Sequence, residues 1–577
     1  MLPFTVIIAG VIVLMGALAV NTVRVEHKRS VAQSVLDICV TNAASQRQAL
    51  EPIPVLNDCL AKHGFEAQLT HSEAETGRTR RVYATAATTV GSFFLKERQN
   101  YSVAVAAEAS ESLTNLEIVL ALDVSASMLF PTAASPDPMS DMRNAAAQFV
   151  DQMLRNDKEG KIMITLVPYH SQVILGSEVS NRFNLTYAPT NMMNGTARIG
   201  PDMTEYRCLD LPASSFTTTE IVPSAPISAM PFVDHMGSTS QSNSYILPTN
   251  TSTAVASMQD GACSFFRLAP SPSTSNTVRL PDFTPATAKA VLTTPEARIQ
   301  SLQSKILNLR STGETSIDVG MKWALAFLDP AMRPVFQHFV QQGQMPPQAA
   351  NFPLDFNDTS GLKVIVLMSD GLNTMMPRMQ DKYLRGTSPF WLASDGNMSW
   401  FNPARPAPNQ YWVPHLPAPT GSPAGTAPGQ WLPAPWQPAN ATVPTRQLDY
   451  EELWRRVKVH YVAWQFHARS VSQAPTTNST ANNLRSQAVV SALQEYMPIG
   501  LRLTPEIKDQ QLTQLCNLAR SKNIYVYSIF FETGTSSSPT LQACAREPSY
   551  YSRSSPTEIA QTFLSIAQHI SKLKLTQ

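Results

Sequence analysis

Charge is what this sequence has least of. Asp, Glu, Lys and Arg make up 15% of its 577 residues, well under the roughly one quarter of an ordinary globular chain. Lys plus Arg is 44 and Asp plus Glu is 43, which leaves a net charge of +1 and no basic tract. That balance argues against nucleic acid as the partner. No two cysteines stand in a C-x-x-C. Only Cys59 and His63 approach a zinc-ligand spacing, and no second Cys/His pair accompanies them, so a zinc site is not expected. G-x-S-x-G, H-E-x-x-H and Walker-type loops are missing, and with them the usual signatures of serine hydrolases, zinc proteases and P-loop nucleotidases. His460 and His467, with Trp464 between them, read as a packed or solvated helix face rather than a metal pair. His170 follows a strand end, but nothing marks a nucleophile for it to activate.

What is present can still build cores, since 43% of the chain is hydrophobic. Its length calls for several domains or one domain with large insertions. Leu2 to Val23 carries no charged residue. As a helix that run extends about 33 Å, enough for a roughly 30 Å hydrocarbon core. We expect an uncleaved anchor rather than a signal peptide, because no basic stretch precedes the run. Its orientation is contested. Arg24, Lys28 and Arg29 on the far side would keep the bulk of the chain cytoplasmic by the positive-inside rule. The six cysteines (Cys39, Cys59, Cys208, Cys263, Cys516, Cys544) suit structural disulfides in an oxidising compartment. The alternative is six buried thiols in the cytosol. We favour export.

The pattern predicts a transmembrane anchor over 1–23, a helical hairpin over 24–64 that Cys39 and Cys59 can clip, and a small β region over 65–113. A larger domain follows over 114–577. Its strands are expected at 116–123, 161–167, 363–370 and 523–531, and its helices at 142–154, 295–309, 315–328, 506–521 and 556–573. Strand and helix alternating in this way predict an open parallel α/β sheet. Two insertions, at about 177–294 and 375–504, interrupt it. The second holds seven of the eight tryptophans, and twelve prolines between Phe401 and Tyr450. There we expect polyproline II and turns rather than regular strands, forming either a contact surface or an ordered loop held down by its tryptophans.

Asp123, Ser125 and Ser127 follow the first strand, where such sheets bind ligands. Oxygen-bearing residues at alternate positions of one turn can converge on a hard cation. Asp370 ends a second apolar strand, and Thr315 opens a helix after Gly313-Glu314. As a lone motif D-x-S-x-S is weak; the context of the two strand ends strengthens it.

LALDVSASM, Gly313-Glu314-Thr315 and VIVLMSDG together resemble the metal-ion-dependent adhesion site of von Willebrand factor A domains. That resemblance implies a doubly wound, Rossmann-like parallel sheet, which the two large insertions read above interrupt. It implies a site in which Asp123, Ser125, Ser127, Thr315 and Asp370 bind Mg²⁺, or another divalent cation such as Mn²⁺ or Ca²⁺. The last ligand position is left to an acidic residue of a protein partner. Glu314 departs from the family, which commonly has Gly there. The anchor, VLDICVTNAASQRQ and the C-terminal LQACAREPSYYSRS further resemble TadG-like proteins of bacterial tight-adherence (Flp) pilus systems. This second resemblance implies a Cys516–Cys544 disulfide, an inner-membrane anchor with the bulk of the chain in the periplasm, and pilus-assembly components as partners. A basic cytoplasmic N-terminus, usual there, is not seen.

The expected function is therefore a membrane-anchored, non-enzymatic pilus-assembly or adhesion component. Two alternatives stand beside it. One is an A domain with an empty metal site that binds through its Trp/Pro-rich insertion. The other is a metal-dependent hydrolase, for which no convincing base or nucleophile is present.

Overall fold

The computed structural model describes residues 2–45, 50–75, 79–92, 100–112, 115–129, 131, 135–187, 191–194, 197–202, 206–230, 276–285, 292–311, 313–358, 360–457, 459–475, 477–498, 503–532 and 538–576. They fall into two compact units, residues 1–114 with 572–577, and residues 115–571.

In the first unit a single helix, α1 (Leu2–Ala44), runs through both the apolar stretch and the segment after it. It is long and apolar enough to cross a membrane. Its last turns bury Leu36, Val40 and Ala43 with Leu56 and Leu60 of α2 (Pro52–Lys62). A disulfide joins Cys39 to Cys59. The antiparallel strands β1 (Gln68–Glu75), β2 (Thr79–Gly91) and β3 (Asn100–Ser112) complete the packing. Val82, Ala84 and Ala86 turn inward at alternate positions, as a half-buried strand requires.

The second unit is organised by a five-stranded parallel sheet: β4 (Asn115–Asp123), β5 (Ile162–Tyr169), β6 (Gly361–Ser369), β7 (Tyr525–Phe531) and β8 (Tyr551–Ser554), in the order β8-β7-β6-β4-β5. Val119, Ala121, Ile365, Leu367, Val526 and Phe530 share one core. That core includes residues of α5 (Ile317–Ala326) and α6 (Pro505–Ser521), two of the helices that follow α3 (Pro138–Leu154) and α4 (Pro295–Leu307). Ile118, Leu120, Leu122, Val364, Val366 and Met368, of opposite parity, are equally buried. Both faces are thus covered, which is why these strands read as continuous apolar runs. Phe149 of α3 meets Phe563 of α7 (Ile559–Thr576) edge-on, 5.9 Å between centroids. The buried pair Glu117–Lys363, 2.8 Å apart, sits on directly opposed residues of β4 and β6. β8 was not expected; Tyr551-Ser552-Arg553-Ser554 carries no apolar run.

One expectation is corrected. The segment after β6 is not confined to polyproline II and turns. Its strands 430–432, 411–413, 398–401, 387–392 and 446–449 form, in that order, an antiparallel sheet. The reason is placement: the strands are three to six residues long, and most prolines fall in the turns between them. Tyr411-Trp412-Val413, for example, lies between Pro408 and Pro414. Pro389, inside one strand, coincides with an irregular register. Phe390, Trp412, Leu453, Trp454 and Phe466 form this sheet's own core.

Candidate metal centre

The order β8-β7-β6-β4-β5 reverses between β4 and β6. The crevice outside their carboxyl ends is where an open parallel sheet receives ligands. Asp123 ends β4, and Asp370 follows β6 directly. Asp123 Oδ1 accepts from the Ser125 amide at 2.8 Å, and its Oδ2 accepts from the Ser369 hydroxyl at 2.6 Å. The hydroxyls of Ser125 and Ser127 lie 2.8 Å apart, and Ser127 donates to Asp370 Oδ1 at 3.0 Å. Asp123, Ser125 and Asp370 are buried, whereas Ser127 is half-exposed.

A second loop closes on this pair. The Ala126 amide donates to the Gly313 carbonyl at 2.9 Å, and the Ser311 hydroxyl donates to the Ser125 carbonyl. Gly313 has φ +70°, and a Cβ there would stand 2.7 Å from His170 Nδ1. Only glycine meets both the backbone and the space. Next to it, the Glu314 amide donates to Ser171 Oγ at 2.8 Å. Glu314 is not among the residues with positive φ, so its backbone conformation suits a residue with a side chain. Thr315 is buried, and its amide donates to Thr374 Oγ1 at 2.9 Å while its carbonyl accepts from the Thr374 amide at 3.0 Å. Asp123, Ser125, Ser127 and Asp370 therefore share one hydrogen-bonded group. Thr315 is tied through its backbone to the loop that follows Asp370.

Two carboxylates this close and this buried do not both hold a negative charge unaided. Burial, then the charge of Asp370, pushes the Asp123 carboxyl up to about 7. A divalent cation would relieve that, and every side-chain donor present is a hard oxygen. The oxygens of Asp123, Ser125, Ser127 and Asp370 thus fit such an ion, and Thr315 is held beside them through its backbone. His170 does not belong to the set. It is buried, neither ring nitrogen has a hydrogen-bond partner, and burial pushes it down to about 4, so it forms no relay to a hydroxyl.

The other candidate ligands are placed elsewhere. His460 is buried, and His467 lies against the Trp400 ring and the Tyr496 hydroxyl. Cys39, Cys59 and His63 come within metal-binding reach of one another, but both sulfurs are consumed by their disulfide. Cys516 bonds to Cys544. Cys208 is disulfide-bonded; Cys263 lies outside the described residues. Sequence reasoning missed Ser171, Ser369 and Thr374. Ser369 had a signal, as the hydroxyl before a strand-ending aspartate; the others had none.

No family model matches the chain, and no curated protein does. Among solved structures it is similar to the vWF domain of the type V pili tip protein Mfa5 from Porphyromonas gingivalis. The identity is 12% over 80% of this chain and 96% of that one, with a TM-score of 0.28. It is also similar to the adhesive tip pilin GBS104 from Group B Streptococcus agalactiae, at 11% identity over 79% of this chain and 99% of that one, TM-score 0.27. A third is the pilus adhesin RrgA from Streptococcus pneumoniae, at 10% identity over 87% of this chain and 48% of that one, TM-score 0.26. At these values each is a likeness and carries no argument about what this chain does.

Proposed function

We propose that the larger unit is a doubly wound von Willebrand factor A-type domain with insertions at about 177–294 and 375–504, carrying a metal-ion-dependent adhesion site. Asp123, Ser125, Ser127, Thr315 and Asp370 hold Mg²⁺, or Mn²⁺ or Ca²⁺ in its place. A cation bound there supplies a Lewis-acidic contact for the carboxylate of a protein partner. The observation that carries this reading is the bond from Ser127 to Asp370. It joins hydroxyls and carboxylates from two strand ends at the point where the sheet order reverses.

The surroundings describe the partner further. Leu129 is 51% exposed, Leu372 47% and Met375 41%, and all three lie within five residues of Ser127 or Asp370. The preferred partner segment is an acidic residue flanked by apolar ones. In this reading the chain acts by binding, without enzymatic turnover. α1 anchors it in a bacterial inner membrane with the bulk periplasmic, a placement the Cys39–Cys59 and Cys516–Cys544 disulfides support. A TadG-like role in Flp pilus assembly is the specific form of this proposal.

The test is calorimetric titration of the full chain with Mg²⁺. Asp123→Ala is expected to abolish binding while the circular dichroism spectrum is retained. Native protein that takes up no divalent cation sinks the reading.

A second reading rests on the antiparallel sheet. Trp391, Phe401 and Tyr411 are half-exposed, with ring centroids 5.0 Å and 6.2 Å apart, an arrangement suited to a binding face. If Tyr411→Ala and Trp391→Ala weaken partner capture and Asp123→Ala does not, the function belongs to that sheet.

A further inference from the structure

Lys508 lies in the first turn of α6, a helix that carries none of the oxygen donors. It is 1% exposed. Its ammonium donates to the Thr315 carbonyl at 2.8 Å, to Ser316 Oγ at 2.7 Å and to the Thr374 carbonyl at 2.8 Å. All three of its protons are thus used. Two acceptors belong to the loop that carries Thr315, and the third to the loop that follows Asp370. A neighbouring bridge repeats the pattern. Asn373 accepts from the Ile317 amide at 2.7 Å and donates to Asp509 of α6 at 2.8 Å.

The simpler account of a buried lysine is neutralisation of a buried acid, here Asp318. Their separation is 3.9 Å, well beyond the three hydrogen bonds to the loops. The ammonium is aimed at the loops, and the carboxylate is its more distant neighbour.

We propose that Lys508 is a positioning residue, holding the Thr315 loop and the Thr374 loop together from beneath and so setting the affinity of the metal centre. The proposal rests on the metal reading above, and it extends that reading to a residue outside the donor set. Gripping the Thr315 carbonyl fixes the backbone from which the Thr315 hydroxyl projects. Losing a group that orients a metal ligand typically weakens metal affinity about 10–100-fold.

The experiment compares the full native chain in detergent with Lys508→Met, and with Lys508→Met combined with Asp318→Asn. The single variant leaves a buried carboxylate unpaired and is expected to lose stability and Mg²⁺ affinity together. The double variant removes both charges, so it separates the two accounts. We expect its thermal midpoint to return close to native while Mg²⁺ affinity stays about 10–100-fold weaker. Without metal, the amides of Thr315, Ile317 and Thr374 are expected to exchange about tenfold faster or more in the double variant, global stability being restored. A double variant matching the native chain in affinity and exchange overturns the proposal and leaves Lys508 as a counter-ion. If the native chain binds no Mg²⁺, the metal reading fails by itself, and the exchange measurement alone decides the role of Lys508.

Discussion

The unit of residues 115–571 contains two five-stranded sheets that solve opposite problems. The parallel sheet joins strands distant in sequence: Ser127 beyond β4 reaches Asp370 beyond β6 across 243 residues. Its strands bury both faces, so aliphatic runs suffice apart from the Glu117–Lys363 pair, and the hydroxyls and carboxylates of the candidate site collect at their carboxyl ends. Three of the four pairings in the antiparallel sheet join consecutive strands, and the sheet is built from aromatics between prolines. Proline has no amide hydrogen, so such a segment has a surplus of carbonyl acceptors. Side chains meet it: Arg469 donates to the Pro414 carbonyl at 3.0 Å, Gln430 to the Pro417 carbonyl at 2.7 Å, and Gln447 to the Ser388 carbonyl at 2.8 Å. One sheet creates a site at its end, whereas the other spends its polar side chains on its own backbone.

The largest expected effect tests whether the two sheets are separable. Trp412 is buried in the antiparallel core, and its Nε1 donates to the Gln465 carbonyl at 2.8 Å. Trp412→Ala is expected to cost about 3–5 kcal/mol there, from lost packing and an orphaned carbonyl. Because seven of the eight tryptophans lie within residues 391–464, intrinsic fluorescence reports this sheet and Mg²⁺ titration the other. We expect the fluorescence-detected denaturation midpoint to fall while Mg²⁺ affinity is unchanged. A matching loss of affinity would merge the two into one cooperative body.

The same contrast explains what could be read from sequence. β4, β5, β6 and β7 were legible because burial on both faces imposes continuous apolar runs. β8 was not, since its residues pair only with β7 at the sheet edge. The antiparallel strands were hidden because three residues cannot display a period, and the prolines beside them spoke for turns. At the candidate site the donors could be picked out only by motif and resemblance. Folding brings Asp123, Ser125, Ser127 and Asp370 into one hydrogen-bonded group. Lys508 had no legible signal: a lysine in the first turn of an amphipathic helix reads as a solvated residue until its depth is known.

A smaller effect separates the regions by pH. His170 beside the candidate metal centre and His467 beneath the antiparallel sheet are both pushed down to about 4 by burial. The unfolded imidazole titrates near 6.5, so between these values the unfolded chain binds the extra proton. The stabilisation is complete above about pH 6.5 and is lost as pH falls toward 4. For the buried His170 the loss reached at pH 4 is on the order of 3 kcal/mol. His170→Leu is expected to flatten the acid loss measured as protection of the metal-loop amides, and His467→Leu the loss measured by fluorescence. Either variant flattening both profiles would contradict the separation.

The smallest effect asks whether local helix physics is the same in both regions. Asp137 caps α3 by accepting from the Ser140 amide at 3.0 Å, and Asn478 caps helix Ser479–Tyr496 by accepting from Ala481 at 3.0 Å. Each cap satisfies one orphaned amide, so Asp137→Ala and Asn478→Ala should each cost about 1 kcal/mol. Asp137 also carries a charge at a helix amino terminus, with Arg143 at 3.9 Å, which adds a few tenths of a kcal/mol at low salt. Repeating the thermal melts at about 1 M salt removes that increment by screening, and the two costs should converge. If they stay apart, the difference lies in how far each helix end depends on its own sheet, and the contrast between the two regions reaches down to their caps.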